Sequence, residues 1–97
     1  MISDRFELVR ERVNSEIVNK AYEFAKTLHG DQVRKDGSLY ISHPVEVALI
    51  LANQGFDEDV VSAALLHDVI EDCNYTVNDI KNNFNSNIAN LVDSFFL

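Results

Sequence analysis

The sequence contains no tryptophan, one cysteine, one proline and three glycines among its 97 residues. A single cysteine, Cys73, excludes an intrachain disulfide, and this favours a reducing, cytoplasmic location. No apolar run approaches the roughly 20 residues that span a bilayer. The first ten residues, MISDRFELVR, also lack the apolar centre of a secretion signal. We therefore expect a cytoplasmic protein with no membrane partner.

Basic residues are also scarce, because eight lysines and arginines stand against 16 aspartates and glutamates, for a formal charge of −8 at pH 7. Binding to a nucleic acid backbone requires clustered basic side chains, so we expect no nucleic acid partner. A small phosphorylated ligand remains compatible with this charge, because a metal ion or one local basic pair can supply the positive charge. Apolar residues make up 46% of the chain, which is enough for the core of one domain over residues 1–97.

Apolar residues in the first third of the chain recur every three or four positions, the spacing of a helix with one buried face. They are Phe6, Val9, Val13, Ile17, Ala21, Phe24, Ala25 and Leu28. We predict two helices within residues 2–28, in preference to one long helix, because Asn14 and Ser15 are typical N-cap residues. Gly30 is expected to end the second helix.

Four more helices are predicted after a loop at residues 31–42. Ser42, Asp57 and Thr76 are the expected N-caps, with Asp79 completing a capping box. The predicted helices run over residues 43–54, 58–73, 77–84 and 87–97. The alternation typical of strands is missing from the sequence, so the predicted fold class is all-α, a bundle of five or six helices.

The predicted helix over residues 58–73 is mostly apolar up to residue 66 and then carries His67, Asp68, Glu71 and Asp72. Residues four apart share a helix face, so His67 stacks with Glu71, and Asp68 stacks with Asp72. The neighbours His67 and Asp68 point about a quarter-turn apart and can meet at one ion. An imidazole nitrogen beside a carboxylate oxygen suits Mn, Fe, Zn or Co better than Ca.

Two ligands hold a metal weakly, so a third has to come from elsewhere in the chain. His43 is the first candidate, because Pro44 restricts its backbone and makes the direction of its side chain predictable. His29 is a weaker candidate, since the helix dipole favours a histidine at a helix C-terminus without any ligand. The plainer interpretation is a solvated polar block, but the apolar helix before these residues favours a cleft.

Three motifs, in this order, resemble a known family: HGDQVRKDG, YISHPVEVA and AALLHDVIEDC. The His-Asp doublet is the one for which the HD phosphohydrolase superfamily is named. The ordered set is similar to the hydrolase domain of RelA/SpoT-type (p)ppGpp synthetase/hydrolases and of small stand-alone alarmone hydrolases. The resemblance runs from about Ala21 to Val92.

This resemblance implies a helical HD domain and an enzyme of the stringent response. The implied reaction removes the 3′-pyrophosphate of (p)ppGpp and leaves GDP or GTP, with Mn(II) as the typical metal. The matching site residues are the metal ligands His43, His67 and Asp68, the catalytic acids Glu71 and Asp72, and the substrate-contacting pair Arg34 and Lys35.

One part of the family pattern is missing, because the fourth metal ligand, an aspartate in a motif like A-D-R-x-H-N, has no counterpart in this sequence. Asp93 matches a non-ligand position. We therefore expect the N-terminal portion of a truncated domain, with weak metal binding and little hydrolysis by the chain alone. A homodimer through an exposed C-terminal helix is also predicted, because a truncated domain lacks later helices that would cover the apolar stripe of this helix. The stripe consists of Ile88, Leu91, Val92, Phe95 and Phe96.

Two other functions are compatible with the sequence. One is an HD phosphohydrolase that acts on another nucleotide, and the other is a non-catalytic helical module that binds a nucleotide or a partner. A stoichiometric transition metal at His43, His67 and Asp68 would favour an enzyme, and a panel of substrates would separate the two enzymes.

Overall fold

The computed structural model describes residues 4–30, 37, 41–72 and 75–94, and within these ranges the chain forms six helices and no strand. The helices are α1 Asp4–Arg12, α2 Glu16–His29, α3 Ser42–Asn53, α4 Glu58–Asp72, α5 Val77–Asn83 and α6 Ser86–Ser94. The predicted all-α fold class is confirmed. None of the described helices has the length and apolar character needed to cross a membrane.

The break between α1 and α2 lies where the N-cap residues predicted it. The Ser15 side chain accepts a hydrogen bond from the backbone N–H of Val18 at 3.3 Å. At the other end of α2, Gly30 adopts φ 56° and donates its N–H to the carbonyl of Lys26 at 2.9 Å. A positive φ is accessible to glycine at little energetic cost, so Gly30 ends the helix as predicted.

Two of the three predicted N-caps after the loop are confirmed. Asp57 Oδ1 accepts from the N–H of Val60 at 3.1 Å at the start of α4. Thr76 and Asp79 exchange side chain to backbone hydrogen bonds of 2.9 and 3.1 Å at the start of α5. This reciprocal pair satisfies two backbone donors that the helix leaves open.

The prediction that Ser42 caps α3 is wrong. Ser42 is the first helical residue, and Ile41 precedes it with the helical backbone angles φ −61° and ψ −22°. Pro44 gives the physical reason, because it has no N–H at a position where the helix offers no acceptor. The first turn of α3 therefore has one donor fewer to satisfy.

Helix α4 forms the centre of the fold, in contact with α2, α3 and α6. Residues 61–66 of α4 are all fully buried. Helix α1 covers another part of the core, where the Phe6 ring stacks on that of Tyr22 in α2 with a centroid distance of 3.8 Å. The alanines among the buried residues, Ala63 and Ala64, allow neighbouring helices to approach α4 closely.

An ion pair joins α1 to α3 at the surface. The guanidinium of Arg5 donates to both carboxylate oxygens of Glu46, at 2.7 and 2.9 Å. These hydrogen bonds lower the pKa of Glu46 and raise that of Arg5. Because both side chains are about half exposed, we expect the pair to fix the angle between the helices more than to raise stability.

In the described part of the C-terminal helix, the apolar stripe on which the dimer prediction is based is mostly covered. Ile88 and Val92 are fully buried and Leu91 is partly buried in the core of the same chain. Asn85 fixes the start of this helix by accepting from the N–H of Ile88 at 2.7 Å. The expected loss of cover is therefore wrong for Ile88 and Val92, while Phe95 and Phe96 lie outside the described residues.

Two serine-to-alanine changes are expected to alter stability in opposite directions. The Ser62 hydroxyl is fully buried in α4 without a hydrogen-bond partner in the described part of the chain, so Ser62→Ala should raise the free energy of unfolding by about 1 kcal/mol. Ser15→Ala removes the N-cap of α2 and should lower it by about 1 kcal/mol. Urea unfolding measures both. A loss of stability in both variants would contradict the burial of an unsatisfied hydroxyl at Ser62.

Candidate metal centre

The start of α3 and the middle of α4 bring three possible metal ligands together. His43, the second residue of α3, is exposed, whereas the His67 and Asp68 side chains on α4 are each 15% exposed. One ligand atom from each of the three residues lies within 4.8 Å of the others. The convergence predicted for these residues is present, and their role as metal ligands stays a prediction.

Two contacts fix the orientation of the His67 imidazole. Nδ1 lies 2.6 Å from the backbone carbonyl oxygen of Ala64, and Nε2 lies 3.1 Å from Asp68 Oδ1. Metal-binding histidines commonly donate one ring N–H to a carbonyl, which fixes the tautomer and leaves the other nitrogen for the ion. Nε2 is therefore the nitrogen of His67 that can bind a cation next to Asp68.

The spacing of the three groups fits one small divalent ion after a minor adjustment. Nitrogen and oxygen ligands lie about 2.1 Å from such an ion. Two ligands at right angles are then about 3.0 Å apart, close to the 3.1 Å between His67 and Asp68. Ligands on opposite sides are about 4.2 Å apart, so a spread of up to 4.8 Å requires a shift of a few tenths of an ångström per side chain. The exposed His43 has room to make that shift.

The other predicted site residues are placed only in part. Glu71 and Asp72 belong to the last turn of α4, one helical turn beyond His67 and Asp68, but their side chains lie outside the description. Arg34 and Lys35 lie outside the described residues.

The remaining histidine, His29, ends α2 with 1% exposure. It does not belong to the group of three donors found in the described part of the chain. This agrees with its ranking below His43 as a candidate ligand.

Sequence reasoning missed one functional group at this site, the carbonyl of Ala64. Every helical residue carries a carbonyl, and no residue type marks the one that a histidine will use. A weak signal was available, because a helical side chain leans back over the preceding turn, where residue i−3 lies.

The sequence of this chain matches known proteins over the segment that carries the candidate site. The family model of the HD domain matches residues 21–95. The chain is 49% identical over 80 residues to a guanosine-3′,5′-bis(diphosphate) 3′-pyrophosphohydrolase of Aquifex aeolicus, and 47% identical over 78 residues to the protein of the same name in Vibrio cholerae. It is also 42% identical over 90 residues to a GTP pyrophosphokinase rsh of Brucella ovis.

These matches cover most of this chain and little of the relatives. They span 82%, 80% and 93% of this chain, but 12%, 11% and 12% of the three relatives. The shared segment contains His43, His67 and Asp68 within the HD domain match. The similarity therefore applies to this domain and not to the remainder of the relatives.

Replacing His67 should remove the cation site while leaving the fold. We expect His67→Ala to weaken Mn(II) binding by at least about tenfold, because even groups that only orient a ligand are worth that much. Isothermal titration calorimetry measures the affinity, and circular dichroism checks the helices. Asp93→Asn, which neutralises an exposed carboxylate on α6, is the matched control. Equal losses in both variants would indicate general attraction by the acidic surface, and an unchanged affinity in His67→Ala would contradict the site.

Proposed function

Because the chain belongs to the HD domain family, we propose that it contributes the metal-binding half of a (p)ppGpp 3′-pyrophosphohydrolase site. The observation that supports this most strongly is the cluster of His43, His67 and Asp68 within one ion's reach. The names of the Aquifex and Vibrio relatives supply the substrate and the bond that is cleaved. We extend both to the protein that contains this domain and place the activity in the cytoplasm.

The proposed ligands are His43, His67 through Nε2, and Asp68. Two imidazoles and one carboxylate suit a divalent transition metal, and Mn(II) is the ion that we propose. When bound, such an ion supplies positive charge that polarises a phosphate and makes a neighbouring water molecule more acidic. Partial burial of His67 and Asp68 strengthens these electrostatic interactions relative to those in bulk water.

Glu71 and Asp72 are proposed to handle the proton of the attacking water. They follow His67 and Asp68 by four residues on the same helix, so they lie one turn further along the same faces. A carboxylate at that distance can accept a proton without taking a position among the metal ligands.

The basic pair Arg34 and Lys35 is proposed to neutralise the nucleotide phosphates. A chain with a formal charge of −8 repels a polyphosphate in general, so binding requires local positive charge. Adjacent arginine and lysine side chains together with a divalent cation provide it. We propose no role in binding nucleic acids or membranes.

A transplant tests this proposal with the residues of this chain. Residues 21–92 replace the matching segment of the Aquifex aeolicus relative, and release of pyrophosphate from (p)ppGpp is measured with Mn(II). We expect hydrolysis by the chimera, and about a 10²- to 10⁴-fold slower rate after Glu71→Gln with the metal affinity unchanged. The chain alone should hydrolyse slowly.

The outcomes of this assay also separate the alternatives. A folded chimera that binds Mn(II) and cleaves a different nucleotide would replace the proposed substrate. A folded chimera that binds neither metal nor nucleotide would favour a non-catalytic module. Loss of the metal in Glu71→Gln would make Glu71 a ligand and contradict its proposed role.

Self-association through the C-terminal helix stays a prediction, and fewer apolar side chains of this helix now support it. Within α6 the burial of Ile88 and Val92 leaves Leu91 as the partly exposed apolar side chain. Multi-angle light scattering over a range of concentrations measures the mass, and a dimer that Leu91→Asn dissociates is the expected result. A monomer at every concentration would contradict the prediction.

A further inference from the structure

The last turn of α4, which carries Glu71 and Asp72, has unfavourable electrostatics of its own. The negative end of a helix dipole is stabilised by basic side chains and destabilised by acidic ones. Helix α4 has no basic residue in its last turn and ends on two acidic residues. By contrast, Lys26 and His29 occupy the last turn of α2, which Gly30 then caps. The last turn of α4 therefore contains no side chain of the charge that the helix dipole favours there.

A cluster of three aromatic rings provides a fixed point just beyond this turn. The rings of Phe24 on α2 and Tyr75 pack in a T-shaped arrangement, with a centroid distance of 5.6 Å and an interplanar angle of 79°. The Phe24 ring meets Phe84, which follows α5, in the same way at 5.3 Å and 86°. Such near-perpendicular pairs contribute attraction beyond their buried area.

The position of Tyr75 couples this cluster to the acidic pair. Tyr75 follows Asp72 by three residues, so the two Cα atoms are at most about 11 Å apart. On the other side, Tyr75 directly precedes Thr76, which the capping box with Asp79 fixes at the start of α5. Phe24 therefore holds the ring of Tyr75, and the capping box holds the backbone that directly follows it.

We propose that Tyr75, held against Phe24, is a positioning residue that keeps the last turn of α4 helical and so places Glu71 and Asp72. The structural part of this proposal is independent of the reaction, whereas its effect on hydrolysis rests on the proposed function. Tyr75 itself makes no contact with the substrate in this account. It limits the fraying to which a helix end of this kind is otherwise prone.

Phe84 offers a matched control, because it contacts the same ring of Phe24 with nearly the same geometry. It follows α5, far along the chain from Glu71, and it also lies beneath the ammonium of Lys20 at 4.8 Å. Phe84→Leu therefore removes at least as much stabilisation as Tyr75→Leu without releasing the end of α4. Tyr75→Phe keeps the ring and should behave as the unmodified chain does.

Amide hydrogen exchange at residues 69–72 of the full chain is the primary test. We expect Tyr75→Leu to accelerate exchange there by about three- to tenfold relative to the rest of α4. Phe84→Leu and Tyr75→Phe should leave these amides unchanged relative to the rest of the helix. Equal acceleration in Tyr75→Leu and Phe84→Leu, or none in either, would overturn the proposal.

Single-turnover hydrolysis of (p)ppGpp with Mn(II), by the chimera that carries residues 21–92 of this chain, is the second test. Tyr75→Leu should lower the maximal rate by about tenfold or more, because misplaced groups lose rate rapidly. The half-saturating substrate concentration and the affinity for Mn(II) should not change, and Tyr75→Phe should restore the rate. Equal rate losses in Tyr75→Leu and Phe84→Leu would overturn the link to the acidic pair.

The two tests distinguish failure of this proposal from failure of the proposed function. If the chimera that carries residues 21–92 of this chain does not hydrolyse (p)ppGpp at all, the proposed function fails, and the exchange rates at residues 69–72 of the chain still decide the role of Tyr75. If hydrolysis is present and the exchange rates do not respond to Tyr75→Leu, the positioning role alone is overturned.

Discussion

Burial of α4 between α2, α3 and α6 is the constraint on which the rest of the structure depends. Every side chain from residue 61 to residue 66 is fully buried, and none of these side chains carries a charge. His67 and Asp68 follow at the point where the packing opens and their side chains become 15% exposed. At this boundary a cation can reach the two groups without the large desolvation cost of a fully buried charge.

The third proposed ligand makes the candidate site a property of the tertiary fold. His43 reaches the cluster from the start of α3, so the site exists only while α3 packs on α4. The ion pair between Arg5 and Glu46 attaches α1 to α3, one turn beyond His43. A metal held by residues from two packed helices stabilises the packing that brings them together, since the unfolded chain offers no preformed site.

The C-terminal end of α4 has an unfavourable distribution of charge. Glu71 and Asp72 belong to the last turn of α4, where the helix dipole disfavours negative charge, and they follow the proposed ligands His67 and Asp68 by one turn. A structure selected for stability alone would place lysine or arginine there. Functional groups often occupy such unfavourable positions, and neighbouring contacts then stabilise them. The proposed stabilising contact in this chain is the packing of the Phe24 ring against that of Tyr75.

Most of the fold could be predicted from local patterns. Helix period, Ser15, Gly30 and the capping box of Thr76 depend on residues close in sequence, and the structure confirms them. The prediction for Ser42 is wrong, because serine is a common cap residue but Pro44 removes a donor from the first turn of α3, where Ser42 is already helical.

The burial of Ile88 and Val92 could not be predicted, since it depends on which helix covers α6. The candidate site could be predicted only in part, because it too depends on the packing of helices that are distant in sequence. His67 and Asp68 are neighbours on one helix, whereas their convergence with His43 depends on how α3 packs on α4.

The central claim is that three groups from two helices bind one ion, with His67 using Nε2. Nitrogen-15 NMR of the imidazoles during titration with diamagnetic Zn²⁺ tests this directly. One equivalent should shift His67 Nε2 and one nitrogen of His43 together, while Nδ1 of His67 keeps the proton that it donates to Ala64. A response from only one of these two histidines, or coordination through Nδ1 of His67, would contradict the account.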